Sequence, residues 1–167
     1  MDGVIFDTEM IYLKVWSEVF EKYGYKMTKE IEKGVPLKLG AYEILEYLKE
    51  NNFKIALATS AISERSFKQL NQANIKGFFD VVVCRDDVIK TKPNPEIFLK
   101  AANKLGVSPE QCIVIEDSDA GIEAAFNAGM IPIHIVDLKK ADEKILNNSY
   151  KSFNDLNEIR KEIINMK

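Results

Sequence analysis

Four short polar segments of this chain carry side chains able to do chemistry. Thr59-Ser60 supplies two hydroxyls, each with one donor and two acceptor lone pairs. Lys92, followed by Pro93-Asn94-Pro95, supplies a compact ammonium that can neutralise an anion. Glu116-Asp117-Ser118 sets two carboxylates side by side, hard oxygen donors able to accept hydrogen bonds or meet a cation. At the amino end, Met1-Asp2-Gly3-Val4-Ile5-Phe6-Asp7-Thr8-Glu9 holds three more acids, with Asp7 and Glu9 in an acid-x-acid spacing. Taken singly, each segment has a plainer role. A threonine ending a strand often only caps a helix, a lysine before a proline turn is usually solvated, and acids favour helix amino ends. Asp119 is assigned to that capping role, and His134, inside an apolar run, to a structural one.

The elements around these segments give them weight as a set. Apolar residues at Tyr12, Val15, Trp16, Val19, Phe20 and Tyr23 recur at helical spacing and stop at Gly24, which predicts a first amphipathic helix whose aromatic stripe packs on a core. Ala41, Ile44, Leu45 and Leu48 mark a second helix face, followed by a strand over Lys54–Ala58 that ends in Thr59-Ser60. Helix and strand then alternate: a helix capped by Ser63, a strand over Val81–Cys84, a helix over Glu96–Leu105 closed by Gly106, a turn at Ser108-Pro109, and a strand over Cys112–Ile115 that ends in Glu116-Asp117. A helix over about Ala120–Ala128, a strand over Ile131–Val136 and a closing helix after Asn154 complete the chain. Such alternation builds right-handed βαβ units, hence a doubly covered parallel α/β sheet, with ligands gathering beyond the carboxyl ends of its strands.

With the four segments in this order, the chain resembles the haloacid dehalogenase superfamily, and within it the β-phosphoglucomutase and phosphoglycolate-phosphatase-like branch. The resemblance covers nearly the whole chain as a single domain, 1–167, and implies a Rossmann-like parallel sheet. It also implies a magnesium-dependent phosphohydrolase or phosphomutase acting on a small phosphorylated metabolite. In the family an aspartate attacks a phosphate monoester and a second aspartate two residues later serves as acid and base. A hydroxyl and a lysine hold the phosphoryl group, and acids bind Mg2+. Carried over by position, Asp2 is the acid/base and a carbonyl ligand of the metal, Thr59 with Ser60 and Lys92 bind the phosphoryl group, and Glu116 and Asp117 belong to the metal site. Phosphoryl transfer asks for such parts: positioning, and positive charge against developing negative charge. A receiver module of signalling proteins would share the residue types, but it places its acidic pair early, and here the pair comes last.

Two departures qualify what the resemblance implies. Met1 falls on the middle residue of the family's Asp-x-Asp-Gly, so the attacking aspartate is absent from the chain as written and impaired turnover is expected, or an inactive remnant that binds metal and phosphate or serves as a scaffold. A register slip offers a repair: Met1–Phe6 as the central strand, Asp7 as nucleophile and Glu9 as acid/base. The second departure is the cap that covers the site in relatives, reduced here to a short helical remnant over residues 10–36. One helix cannot close over a sugar phosphate as a lid does.

Composition excludes other classes. The 167 residues carry 23 Lys+Arg against 26 Asp+Glu and one His, a net charge of −3, without the basic excess of a general nucleic-acid binder. No apolar run approaches the roughly 20 residues that span a bilayer. Cys84 and Cys112 lie in strand-like runs without metal-ligand spacing, and no basic, then apolar, leader precedes them, so a cytoplasmic protein with buried thiols is expected.

Overall fold

Apolar runs of three to five residues between amphipathic helices resolve, in a computed structural model, into parallel strands with helices on both faces. The structure describes residues 1, 3–6, 35–137 and 142–166. The expected first helix, the cap remnant, Asp2, Asp7 and Glu9 therefore lie outside the described residues.

In chain order the elements are α1 (Ala41–Glu50), β1 (Ala56–Ala58), α2 (Ser63–Gln72), β2 (Val81–Val83), α3 (Glu96–Leu105), β3 (Ile113–Glu116), α4 (Asp119–Asn127), β4 (Ile131–Ile135), α5 (Glu143–Asn148), β5 (Lys151–Phe153) and α6 (Leu156–Asn165). Strand positions agree with the sequence reading to within one or two residues at each end. The pair α5 and β5 was not anticipated: a three-residue strand with exposed Lys151 carries too little apolar pattern to stand out. Three of the helices begin on side-chain oxygens. Ser118 accepts from Gly121 N, Asp142 from Ile145 N, and Asp155 from Asn157 N and Glu158 N, each satisfying an otherwise unpaired amide. Ser63 opens α2 differently, its backbone N–H and hydroxyl both donating to Asp86 Oδ1 at 3.0 and 2.8 Å.

Among the described residues all strand pairs are parallel, but they form two sheets, β1-β2 and β3-β4-β5, rather than one. Among the described residues no strand pairs with the remaining edge of β1 or of β3. The register slip requires a strand there from Met1–Phe6, and this is corrected: residues 3–5 are a turn and Phe6 only an isolated bridge. Ile5 N and Phe6 N both donate to the Met1 carbonyl, at 2.9 and 3.1 Å, and Gly3 N to the Phe6 carbonyl at 3.0 Å. Gly3 has φ +72°, the left-handed region that reverses the chain and is nearly closed to other residues. A glycine there favours the reversal over the extended run that Val4-Ile5-Phe6 would otherwise form.

This turn serves packing. Phe6 is fully buried and bridges antiparallel to Leu37, and Lys38 N donates to the Ile5 carbonyl at 2.8 Å. Met1, Val4, Ile5 and Phe6 join Leu57 of β1, Ile133 and Ile135 of β4, Phe153 of β5, and apolar faces of α1, α2 and α6 in one core. The apolar plug thus ties the two sheets together through side chains where backbone pairing does not; burying Phe6 alone is worth about 1.5–3 kcal/mol. On the opposite face Val83 and Val114 pack with Ile97, Phe98, Ala101 and Ala102 of α3 and Ala124 and Ala125 of α4. No helix among the described residues is long and apolar enough to cross a membrane.

Candidate active site

The carboxyl ends of β1 and β3 bring Thr59, Ser60, Lys92, Glu116 and Asp117 to one cleft of about 270 Å³, with Met1, Ala61, Arg65 and Ser118 completing its lining. Thr59 is buried; its amide donates to the Val83 carbonyl at 3.0 Å, which extends the β1-β2 pairing by one residue. Its Oγ1 accepts from Ala61 N at 3.1 Å, so the hydroxyl proton remains to donate to a ligand.

Lys92 reaches the cleft from the loop between β2 and α3. The Glu96 carboxylate holds that loop by accepting from Ile89 N at 2.8 Å and Lys90 N at 2.9 Å, and Asn94 Oδ1 accepts from Glu96 N at 3.1 Å. Those amide bonds keep the Glu96 carboxyl below its ordinary range. The Lys92–Pro93 peptide is cis. Lys92 Nζ lies 2.7 Å from Glu116 Oε2 and 4.8 Å from the centroid of the Phe98 ring, against which it is favourably placed as a cation.

Glu116 is buried at the end of β3, and its oxygens are engaged on both sides: Oε2 by Lys92, Oε1 by Ser118 Oγ at 2.8 Å and Ser118 N at 3.3 Å. Burial alone would raise its pKa. The Lys92 ammonium, assisted by the amino terminus and the Ser118 hydroxyl, reverses that and holds it at about 2. Asp117 behaves oppositely. Burial, then the neighbouring Glu116 charge, pushes its carboxyl up to about 7. Adjacent acids thus differ because only one has a lysine against it. Glu116 Cδ lies 2.1 Å from where a Cβ on Gly121 would stand, so the first turn of α4 closes over this carboxylate only because residue 121 has no side chain.

Gly3 has a matching role on the other side. A Cβ there would lie 2.0 Å from Asp117 Oδ2 and 3.0 Å from Asp137 Oδ2. Asp137, just past β4, was missed in the sequence, although its place at the same strand edge as Thr59 and Asp117 was a usable signal. Its other oxygen pairs with Lys38, both side chains being largely buried. Arg65, on the first turn of α2, was missed as well. His134 is fully buried beside Glu116 in the β3-β4 register, with Nδ1 2.7 Å from Ser152 Oγ; burial lowers its pKa and favours a neutral ring. Cys84 and Cys112 carry no disulfide; Cys84 is buried and Cys112 half-buried.

A roomier cleft of about 400 Å³ lies at the opposite end of the strands, lined by Lys49, Lys54, Asp80 and Lys104 among others. Two of its lysines are held locally: Lys54 Nζ donates to the Leu105 carbonyl at the end of α3, at 2.7 Å, and Lys49 pairs with Asp80 at 2.9 Å. Size therefore does not make it the chemical site.

Residues 25–135 match the family model described as haloacid dehalogenase-like hydrolase. The phosphorylated carbohydrates phosphatase of Thermotoga maritima is 32% identical over 187 aligned positions, covering 87% of this chain and 87% of the relative. The fructose-1-phosphate phosphatase of Escherichia coli is 29% identical, covering 81% and 93%. A crystal structure from Thermotoga maritima, of a protein assigned as a β-phosphoglucomutase, superposes with a TM-score of 0.88 at 26% identity, covering 100% of this chain and 97% of the other.

Proposed function

The chain belongs to the haloacid dehalogenase-like hydrolases, and from that premise we propose that its cleft binds a small phosphorylated metabolite together with Mg2+, as the site of a phosphohydrolase. The observation that carries the reading is the convergence of Thr59, Ser60, Lys92, Glu116 and Asp117 on one cleft beyond the carboxyl ends of β1 and β3.

Thr59 and Ser60 donate hydroxyl hydrogen bonds to phosphoryl oxygens, and Lys92 supplies the charge that meets them. Glu116 aims Lys92, whose ammonium sits 2.7 Å from a carboxylate that stays ionised. Asp117 is the carboxylate for the metal, with the Asp2 carbonyl as its partner and Glu116 behind it. Among the described residues no three His, Cys, Asp or Glu side chains converge closely enough to hold an ion alone. The neighbouring carboxylates of Glu116 and Asp117 fit magnesium, which takes one or two carboxylates and completes its shell with waters and phosphate oxygens. When bound, the ion supplies positive charge against the phosphoryl group. Asp2, as acid/base, gives a proton to the leaving oxygen and takes one from water.

In the family's Asp-x-Asp-Gly the attacking aspartate stands two residues before the acid/base, and Met1 and Asp2 match the second and third positions of that motif. The turn at residues 3–5 speaks against Asp7 taking the attacking role by a slip. Residues 10–36 are read as a cap remnant within one core domain; supporting this, the alignment with the Thermotoga phosphatase runs over 187 positions yet draws on only 87% of this chain. Sugar phosphates follow as the first substrates to try, because the relatives are named for them.

The test pairs two measurements: hydrolysis of an aryl phosphate and of sugar phosphates with Mg2+, and calorimetric binding of inorganic phosphate. Phosphate binding and hydrolysis by the parent, both lost in Lys92→Ala, support the site. No phosphate binding by the parent, or binding indifferent to Lys92→Ala, overturns it.

A further inference from the structure

Asp137 and Lys38 lie outside every motif that the family resemblance uses, yet they stand at the candidate cation site. Asp137 follows β4, the strand next to β3, so its carboxylate emerges at the same sheet edge as Asp117. The Gly3 Cα is the point of convergence: a Cβ built on it would meet Asp117 Oδ2 at 2.0 Å and Asp137 Oδ2 at 3.0 Å. Two carboxylate oxygens thus flank one backbone position. Asp137 is engaged through its other oxygen by the Lys38 ammonium, in a pair whose side chains are only 14% and 17% exposed.

Two carboxylates this close in a largely buried setting repel one another, and the site offsets the charge with a cation of its own. Lys38 is a residue of the segment that joins Leu37, bridged to Phe6, to the start of α1. It arrives from across the turn that carries Gly3. Asp137 does not make a closed three-ligand set with Glu116 and Asp117. Its reach is therefore to the water shell of an ion bound at Asp117, where a carboxylate orients waters by accepting their hydrogen bonds.

We propose that Asp137 is an outer carboxylate of the magnesium site, and that the Lys38 ammonium competes with the divalent ion for it. The inference rests on the reading of Asp117 as the metal carboxylate. It assigns Lys38 the opposite effect from Asp137: the acid strengthens ion binding and the lysine restrains it. A pair that merely braced the fold would affect ion binding in the same direction from either side.

Magnesium titration of the full chain by calorimetry tests this, with thermal melts as the check on folding. Asp137→Asn, which keeps the shape and removes the charge, is expected to weaken binding about tenfold or more, the usual effect of losing an outer partner of a metal site. Lys38→Met is expected to tighten it several-fold, whereas Lys49→Met, the same charge change at the far end of the strands, leaves it unaltered. Binding that requires Asp117 but is indifferent to Asp137→Asn overturns this inference alone. Weakening by Lys38→Met also overturns it, and this arm decides the matter if Asp137→Asn does not fold. Absence of binding by the unmutated chain, or binding indifferent to Asp117→Asn, overturns the site reading and this inference with it.

Discussion

Gly121 lies directly against the side chain of Glu116, so that a methyl group on residue 121 would stand 2.1 Å from the carboxyl carbon. The contact joins the first turn of α4 to the end of β3 and shapes the wall behind Lys92. Gly121→Ala must push Glu116 aside or lift the helix. Overpacking of this kind costs about 1–3 kcal/mol, and urea unfolding should show a lower midpoint with unchanged slope. Phosphate affinity should fall with it, since Lys92 is aimed by the carboxylate that moves.

Removing the cation tests the pair from its other side. Lys92→Met leaves Glu116 buried beside the Ser118 hydroxyl with no ammonium, a loss of about 3–5 kcal/mol for breaking a buried ion pair. The pH dependence carries the sign. With Lys92 present, the Glu116 pKa is depressed from 4.5 to about 2, so its contribution is complete above about pH 4.5 and is lost as pH falls toward 2. Without the lysine, burial dominates and the pKa rises. Acid should then narrow the gap between variant and parent, as measured by denaturant unfolding at pH 7 and pH 3.

Asp117 has the opposite linkage. Its pKa is raised from 3.8 to about 7, so in metal-free buffer the folded state is favoured most below about pH 4 and loses that advantage as pH rises through 7. Asp117→Asn should therefore be more stable than the parent at pH 8 without magnesium and close to it at pH 4. Added magnesium should stabilise the parent at pH 8 and not the variant, because a ligand that binds only the folded state adds to stability. A variant less stable than the parent at pH 8 in metal-free buffer would contradict the assignment.

Thr59→Ala removes one hydroxyl while leaving the charge of the cleft intact. Loss of a single neutral hydrogen bond, about 0.5–1.5 kcal/mol, predicts phosphate binding weaker by up to about tenfold. The Ala61 amide also loses its Thr59 partner, so a Thr59→Ser variant, which keeps the oxygen, should restore most of the affinity. Calorimetry with inorganic phosphate separates the three proteins.

Hydrolysis separates the registers. With residues 3–5 in a turn, Asp7 is not the attacking carboxylate, so Asp7→Asn should leave hydrolysis of a generic aryl phosphate at the parent's rate, whereas Asp2→Asn, which removes the acid/base, should lower it. Abolition of measurable turnover by Asp7→Asn would restore the slipped register.

Much of the architecture was legible in the residues alone, for a local reason. Helix faces such as Ala41, Ile44 and Leu45, closures such as Gly106, and strand runs such as Ile113–Ile115 are set by periodicity and backbone preference within a few residues. The candidate site shared that legibility: Thr59, Lys92, Glu116 and Asp117 end or follow strands, and parallel strands deliver their ends to one edge. What the tertiary structure decided depends on contacts between distant segments. Val4-Ile5-Phe6 has strand-forming side chains, but Gly3 at φ +72° and the buried seat of Phe6 against Leu37 make residues 3–5 a turn and leave two sheets among the described residues. The pairing of Lys38 with Asp137, 99 residues apart, has no local signature, because an ion pair across a fold leaves no periodicity in either strand or loop. The unequal acidity of Glu116 and Asp117 is of the same kind: neighbours in sequence, they differ because Lys92, brought in from another loop, sits against only one of them.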